Sequence, residues 1–448
     1  MAAPGINYPS DYALITLELQ SSTGPMDLKN ILVELSYHED LFNNTTSGYL
    51  MVTDSMGYIE LLNLTGNEYL KMKFGKTVND AHPVDKLFRV FKVSRRILEE
   101  NMNTETYCLE FCSEELVISE QYKLCKSYKG GKISENILDI LQTSLKVPES
   151  NIIVIEPSYG VYDFVIPTMK PFAAINWLST YARPKDDKPG ADMFLYEDKF
   201  GYNFRSLQSL MSNPTYRTYS YNPKNTDVKD LNSSVYNVST YEILNSYDSL
   251  DAINSGVFAN QLLSFNTLTR EKTVTNFDYG VYQKNSTSLN TSPITNMATN
   301  KFGHKLNDTP KAVLKLVYSN FNQQNVGYIK TQAAGSTSND IFAETYIPHR
   351  TAQISLINYN RIKISVPGDS NLTVGMVIDF SLLSINPNMK KPDKFYSGRY
   401  LISAIRHIIT ITEFKTILEI VKDSTPNQYA SPDNNSVLWQ NTTKGVVD

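Results

Sequence analysis

Three cysteines in 448 residues, Cys108, Cys112 and Cys125, leave one thiol unpaired however the others combine. No disulfide framework of the kind that staples small secreted domains is encoded, and reduced thiols are expected. Cys108 and Cys112 lie four residues apart on a strand-like run, so both point to one face. Without a second Cys/His pair at ligand spacing they predict buried small side chains rather than a zinc site. Histidine is as sparse: His38, His82, His304, His349 and His407 are dispersed, with neither H-x3-H nor H-E-x-x-H spacing. No G-x-S-x-G elbow occurs, and "YKGGK" lacks the spacing of a phosphate loop. No cofactor, metal site or catalytic constellation is therefore expected.

Basic excess is also missing. Lys and Arg number 42 against 46 Asp and Glu, a net charge of −4, which excludes a general nucleic-acid binder that neutralises phosphates with a basic face. No window approaches the roughly 18–20 apolar residues that span a bilayer, so no membrane insertion is expected. "MAAPGINYPSDYALI" has no basic segment followed by an apolar core, which predicts no secretory signal. The N-x-[S/T] triplets at Asn43 and Asn63 then read as composition. Glu99-Glu100 and Glu114-Glu115 read as solvated charge at loop or strand ends, and nothing selects a carboxylate pair for glycan cleavage.

What the chain does have is a hydrophobic fraction of 41%, 20% charged residues and 29 tyrosines. Its length predicts about two to four domains, and Tyr-rich, Thr-rich runs suit strands and protein interfaces. Residues 1–125 hold about six short runs of β-formers bounded by turn residues, the content of a small antiparallel barrel or sandwich. Residues 126–221 change character. "ISENILDILQTSL" carries a helical apolar stripe with Ser134 as the expected N-cap. "KPFAAINWLSTYA" is a second helix with Pro171 at its start. "ADMFLYEDKFGYNF" reads as a hairpin turning at Gly201, and "SLQSLM" as a helical turn. This is an α+β insertion. Residues 222–345 are polar and rich in Asn, Ser, Thr and Tyr, with long loops, strand-like pieces and a short helix. Strand grammar returns over 346–425, before a polar tail at 426–448.

The run at 398–424, "GRYLISAIRHIITITEFKTILEIVKDS", echoes 91–115, "FKVSRRILEENMNTETYCLEFCSEE". Aligning Leu109-Glu110 with Leu418-Glu419 matches Tyr107, Leu109 and Phe111 to Thr416, Leu418 and Ile420 on one face, with Glu110 and Glu419 on the other. Upstream, Ser94-Arg95-Arg96-Ile97 falls on Ile405-Arg406-His407-Ile408, and "GNEYLKMKF" and "VGMVIDF" form a further candidate pair. Two readings are open: generic hairpins, or two related β-units in one chain. In a trimer the second reading gives six similar units around a threefold axis.

Three phrases carry a family resemblance: "SGYLMVTDSMGYIELLNLTGNEYLKMKFG", "KPFAAINWLSTYARPKDDKPGADMFLYEDKFGYNFRSLQSLM" and "SGRYLISAIRHIITITEFKTILEIVKDS". The chain resembles the central baseplate hub proteins of contractile-tailed bacteriophages and, more distantly, the hub part of type VI secretion spikes. The likeness covers most of the chain and is weakest over 222–345. It implies a mainly β protein with an α+β insertion and two tail-tube-like antiparallel β-barrel domains per chain, assembled as a trimeric torus. It implies a non-enzymatic virion protein of the tail baseplate, assembled in the host bacterial cytoplasm, that adapts a sixfold tail tube to a threefold spike. The implied partners are its own copies, the tail-tube protein, the central cell-puncturing spike, baseplate wedge proteins, the tape-measure protein, and DNA in passage through the channel. Arg96, Glu110, Arg406, His407 and Glu419 are then expected on chain–chain or channel surfaces, the alternative being ordinary solvated strand charges. The alternatives in function are a hub of a non-phage contractile injection device, type VI-like or a tailocin, and a tail-associated cell-wall hydrolase.

Overall fold

The computed structural model describes residues 8–99, 103–185, 192–221, 236–246, 248–265, 270, 272–281, 287–293, 305, 307–308, 316–318, 343–357, 359–384 and 391–427. The first block contains β1 (Ala13–Ser21), β2 (Gly24–Asp27), β3 (Leu32–Asp40), β4 (Ser47–Asp54), the short helix α1 (Tyr58–Leu61), β5 (Tyr69–Gly75), β6 (Val84–Glu99) and β7 (Thr104–Cys112). These are the six expected strands with the short β2 added. Period-2 burial makes them: Leu70, Met72 and Phe74 of β5 are buried while Lys71 between them is exposed. Each such apolar side chain stabilises the fold by about 1.5–3 kcal/mol.

The middle block runs α2 (Glu114–Gln121), β8 (Ser127–Gly131), α3 (Ile133–Asp139) with a π-helical turn at Ile140–Ser144, β9 (Ile152–Ile155), β10 (Tyr162–Val165), α4 (Pro171–Ser179), β11 (Met193–Glu197), β12 (Tyr202–Ser206) and α5 (Leu207–Met211). The second helix forms as expected, with Pro171 in its first turn and Phe172, Ile175, Leu178 and Ala182 buried. Ser134 is not the N-cap. The helix begins one residue earlier, and Ser134 and Ser158 exchange backbone-to-hydroxyl bonds of 3.0 and 3.1 Å. Glu114 and Glu115 head a helix rather than ending a strand. Ser113 before two acidic residues is an N-terminal signal, since carboxylates favour the positive end of the helix dipole.

The last block contains β13 (Thr215–Tyr221), β14 (Thr240–Ser246), α6 (Ser249–Ser255), β15 (Ala259–Phe265), β16 (Lys272–Asp278), β17 (Ser292–Pro293), β18 (Leu316–Tyr318), α7 (Ala343–Ile357), β19 (Asn360–Pro367), β20 (Val377–Leu382), β21 (Gly398–Thr410), β22 (Phe414–Val421) and β23 (Ser424–Thr425). Much of the polar 222–345 region and the tail after Asn427 lie outside the described residues. Strand grammar returns later than expected, because residues 343–357 form α7. Pro348, Ala352, Gln353, Leu356 and Ile357 are buried at a period near four, and Ala352 and Leu356 share a small core with Ala252, Val257, Phe258, Phe277 and Tyr279.

One thirteen-stranded sheet dominates, in the order β14-β19-β22-β21-β3-β4-β7-β6-β5-β1-β2, with β20 on the first part of β21 and β13 on β20. Its two halves repeat one connectivity. In the first, the spatial order β5-β6-β7-β4-β3 is threaded in chain order 3, 4, 5, 6, 7. In the second, β20-β21-β22-β19-β14 is threaded in the same order, 14, 19, 20, 21, 22, and every neighbouring pair in both is antiparallel. A bulge recurs at the same place: Phe91 is skipped between Val90↔Phe111 and Lys92↔Glu110, and Ser403 between Ile402↔Ile420 and Ala404↔Glu419. This register moves the upstream match by one residue. Val93 opposite Leu109 corresponds to Ile405 opposite Leu418, so Ser94 falls on Arg406; a second bulge, between Ser94 and Ile97 in β6 alone, then returns Ile97 to Ile408 as expected. The downstream match holds, and all six of its apolar-face side chains are buried. The outermost strands differ, since β1 joins β5 antiparallel whereas β13 joins β20 parallel.

Candidate assembly surface

Strand alternation divides the five expected surface residues. Glu110, Arg406 and Glu419 stand on one face of the sheet, opposite the hydrophobic cores, and four ion pairs cross that face. Lys92 meets Glu110 at 3.1 Å, Arg406 meets Glu34 at 3.3 Å, Arg361 meets Glu419 at 2.6 Å and Lys363 meets Glu242 at 3.3 Å. Hydroxyls complete the row. Ser94 donates to Glu110 at 2.6 Å and Ser403 to Glu419 at 2.9 Å, so the repeated carboxylates are each held by a serine. Arg406 donates to Tyr49 Oη at 2.6 Å and to Ser36 Oγ at 2.8 Å, while Tyr49 donates to Glu34 at 2.6 Å. The Ser94 hydrogen bond holds Glu110 below the usual carboxylate range, so it is ionised at neutral pH. His38, on the same face, is pushed down to about 4, first by burial and then by Arg406. Two clefts open here, one lined by His38, Asp40, Lys363, Arg406 and Glu419, the other by Tyr49, Ser94, Arg95 and Glu110.

Arg96 sits apart, near the end of β6, paired with Glu105 at 2.6 Å. His407 is on the opposite face altogether and is 1% exposed, which corrects its expected place on a surface. It stacks on Tyr37 with ring centroids 6.1 Å apart, touches Phe74 and Phe414, and pairs with Thr416 Oγ1 at 2.9 Å. Burial pushes it down to about 3, so it is a neutral core side chain.

A buried polar junction escaped the sequence reading. The β11–β12 hairpin inserts Glu197, Asp198 and Lys199 between the middle block and both halves of the sheet. Glu197 pairs with Lys86 at 2.5 Å and accepts the Thr46 backbone N–H at 2.8 Å. Lys199 donates its backbone N–H to Glu39 at 2.9 Å, and its ammonium reaches the carbonyls of Ser370 at 2.5 Å and His82 at 3.0 Å. Glu39 also takes the Val374 N–H at 3.1 Å. Burial, then the Asp198 charge, push Glu39 up to about 7. The signal was there in "YEDKFG", three consecutive charges at a turn, which by default read as solvated.

Four ion pairs on the outer face set four cations against four carboxylates. Among the described residues no group of three His, Cys, Asp or Glu side chains is placed to hold a metal. No helix among them is long and apolar enough to cross a membrane. A mainly β chain with one large antiparallel sheet is the class of molecule that these elements define, and solved structures share that fold. The fold is similar over 92% of this chain to a tail protein from Neisseria meningitidis MC58, of which 97% is covered, with a TM-score of 0.53 at 9% identity. It is likewise similar to the 43 kDa tail protein of prophage MuSo2 from Shewanella oneidensis, with 92% of this chain and 99% of that one covered, a TM-score of 0.51 and 8% identity. In sequence, the chain is 25% identical over 419 residues to a probable baseplate hub protein of Vibrio phage KVP40, covering 89% of this chain and 92% of the relative. The resemblance to baseplate hub proteins expected from the sequence is borne out by that relative. No family model matches the chain.

Proposed function

We propose that the protein is the structural hub of a phage tail baseplate, a homotrimer that adapts a sixfold tail tube to a threefold central spike. The observation that carries this reading is the repeated connectivity within a chain similar to a baseplate hub protein. Three chains, each with two like units, present six units around a threefold axis, which is what a tube-to-spike adaptor requires. The two tube-like units are the β1–β7 block and the block of β13, β14 and β19–β22. Each closes as a barrel on its own core, with the middle block inserted between them and tied to both by the Glu197–Lys199 junction. The polar face carrying Glu110, Arg406 and Glu419 lines the channel through which tape measure and DNA pass. Its partners are the tube protein, the spike and baseplate wedge proteins, and its place is the virion tail, after assembly in the host cytoplasm. It performs no catalysis; its work is geometric.

The test is solution mass and partner binding. Mass photometry of the purified protein should give three chains, and the trimer should co-elute with the spike encoded beside it. A stable monomer at micromolar concentration that binds neither spike nor tube protein would overturn the reading.

A further inference from the structure

The junction around the β11–β12 turn holds a buried carboxylate that no cation balances. Glu39 is 1% exposed, and donors from three segments converge on it. Its Oε1 accepts the Lys199 N–H from the turn at 2.9 Å and the Tyr37 O–H from β3 itself at 3.0 Å. Its Oε2 accepts the Val374 N–H at 3.1 Å, from the loop that joins β19 to β20. One side chain of the first half of the sheet thus ties down both the insertion block and the second half. The nearby cations are committed elsewhere. Lys86 of β6 pairs with Glu197, and the Lys199 ammonium lies on the carbonyls of Ser370 and His82. Among the described residues no cation pairs with Glu39. We propose that Glu39 is a proton-operated latch: with its proton it holds the β11–β12 turn against both halves of the sheet, and on losing that proton it releases the turn.

The charged groups packed around Glu39 set the direction of the latch. The turn brings up two carboxylates, Glu197 and Asp198, beside Lys199. Asp198 is fixed in place, its Oδ1 taking the Phe200 and Gly201 N–H groups at 2.8 and 2.9 Å and its Oδ2 the Asn203 amide at 3.0 Å. An ionised Glu39 therefore faces a second buried negative charge that is held where it is. Burial and that charge raise Glu39 from 4.5 to about 7, against the pull of the Val374 and Tyr37 hydrogen bonds and of Lys86. Asp80 of the β5–β6 loop and Asp369 after β19 bear on Lys199, and His407 of β21, stacked on Tyr37, stays neutral. The fold decides which side yields. β3 is held by β4 on one edge and by β21 on the other, whereas the turn is the tip of a hairpin, with Phe200 45% exposed. Lifting the turn lets water reach the charge. A carboxyl raised on closing stabilises the closed state fully below its open value of 4.5 and loses that contribution as the pH rises through about 7, so the turn opens on the alkaline side.

The latch goes beyond the assembly reading and stands or falls without it, because every readout lies within one chain. Hydrogen exchange of the native protein is followed from pH 5.5 to 7.5 and corrected for the intrinsic pH dependence of amide exchange. Peptides covering 197–201 and 372–376 should lose protection about tenfold over that range, while β5–β7 keep theirs. Glu39→Gln is neutral at every pH, so its protection in the same peptides should be flat, whatever its level. Where that variant does not fold, Asp198→Asn removes the facing charge and should move the loss of protection to lower pH. Flat protection in the native protein overturns the latch, as does a Glu39→Gln slope equal to the native one or an Asp198→Asn midpoint that does not move. Equal acceleration over β5–β7 would mean global opening and would overturn it too.

Discussion

His407 shows how far a residue's neighbours decide its chemistry. In sequence it stands beside Arg406 on a strand, where either face was open to it. In the fold it is enclosed by Tyr37, Phe74 and Phe414 and held neutral, with its pKa pushed from 6.5 down to about 3 by burial. A group depressed on folding stabilises the folded state fully above its unfolded value. That stability is lost as the pH falls from about 6.5 towards 3, because the unfolded chain takes up the proton first. The slope is at most about 1.4 kcal/mol per pH unit. Urea unfolding at pH 7, 5.5 and 4 should therefore show the midpoint of the native protein falling more steeply than that of His407→Phe. Parallel pH profiles for the two would refute the assignment. The Lys86–Glu197 pair makes the complementary point. Its side chains are nearly buried, so losing either partner strands a charge, an effect of about 3–5 kcal/mol. The exposed pairs on the outer face contribute about 1 kcal/mol or less each.

At the level of elements, most of the fold was legible. Alternation in "NEYLKMKFG" and the Pro171-headed stripe of α4 are local signals that tertiary packing reinforces. The misses came where packing chose between local options. "RTAQISLI" has β-branched residues but folds as the end of α7, because its apolar side chains meet α6 and the β15–β16 hairpin at helical spacing. The echo was read one residue out of register at Ser94, because the extra residue that bulges β6 between Ser94 and Ile97, with no counterpart in β21, is invisible without pairing partners. The turn at Gly201 was found, and the structure explains its residue. Its φ is +149°, and a Cβ there would lie 2.1 Å from the Asn151 carbonyl oxygen, where β12 begins beside β9. Gly201→Ala must therefore push the β11–β12 turn off β9, at about 1–3 kcal/mol. Hydrogen exchange should then accelerate over 193–206 while β5–β7 stay protected. Unchanged exchange in the hairpin would show that the turn relaxes freely.

For the molecule as a whole, Glu110, Arg406 and Glu419 were expected on a chain–chain or channel surface, and strand alternation sets them on one face of the sheet. Their ion-pair partners Lys92, Glu34 and Arg361 come from neighbouring strands, and only pairing brings them together. The result is a row of ion pairs across one face, and for the proposed channel wall paired charge would neither hold nor repel DNA. A basic wall would bind phosphates by counterion release and hold the polymer, while an acidic wall would repel it. The prediction is that unbalancing the face converts a passage into a binding site. Replacing Glu34, Glu110 and Glu419 together with Gln keeps the hydrogen-bond acceptors for Tyr49, Ser94 and Ser403. It removes three negative charges per copy and leaves Lys92, Arg361 and Arg406 unneutralised. In a gel-shift titration with duplex DNA, the native protein should show no retention at about 0.15 M salt. The variant should retain DNA at low salt, with an affinity that falls steeply as salt rises. Particles assembled with the variant should then release their DNA more slowly in a dye-uptake assay than native particles. If the variant and the native protein bind and release DNA alike, the paired face is not the channel wall, and the ion pairs serve only to hold the strands in register.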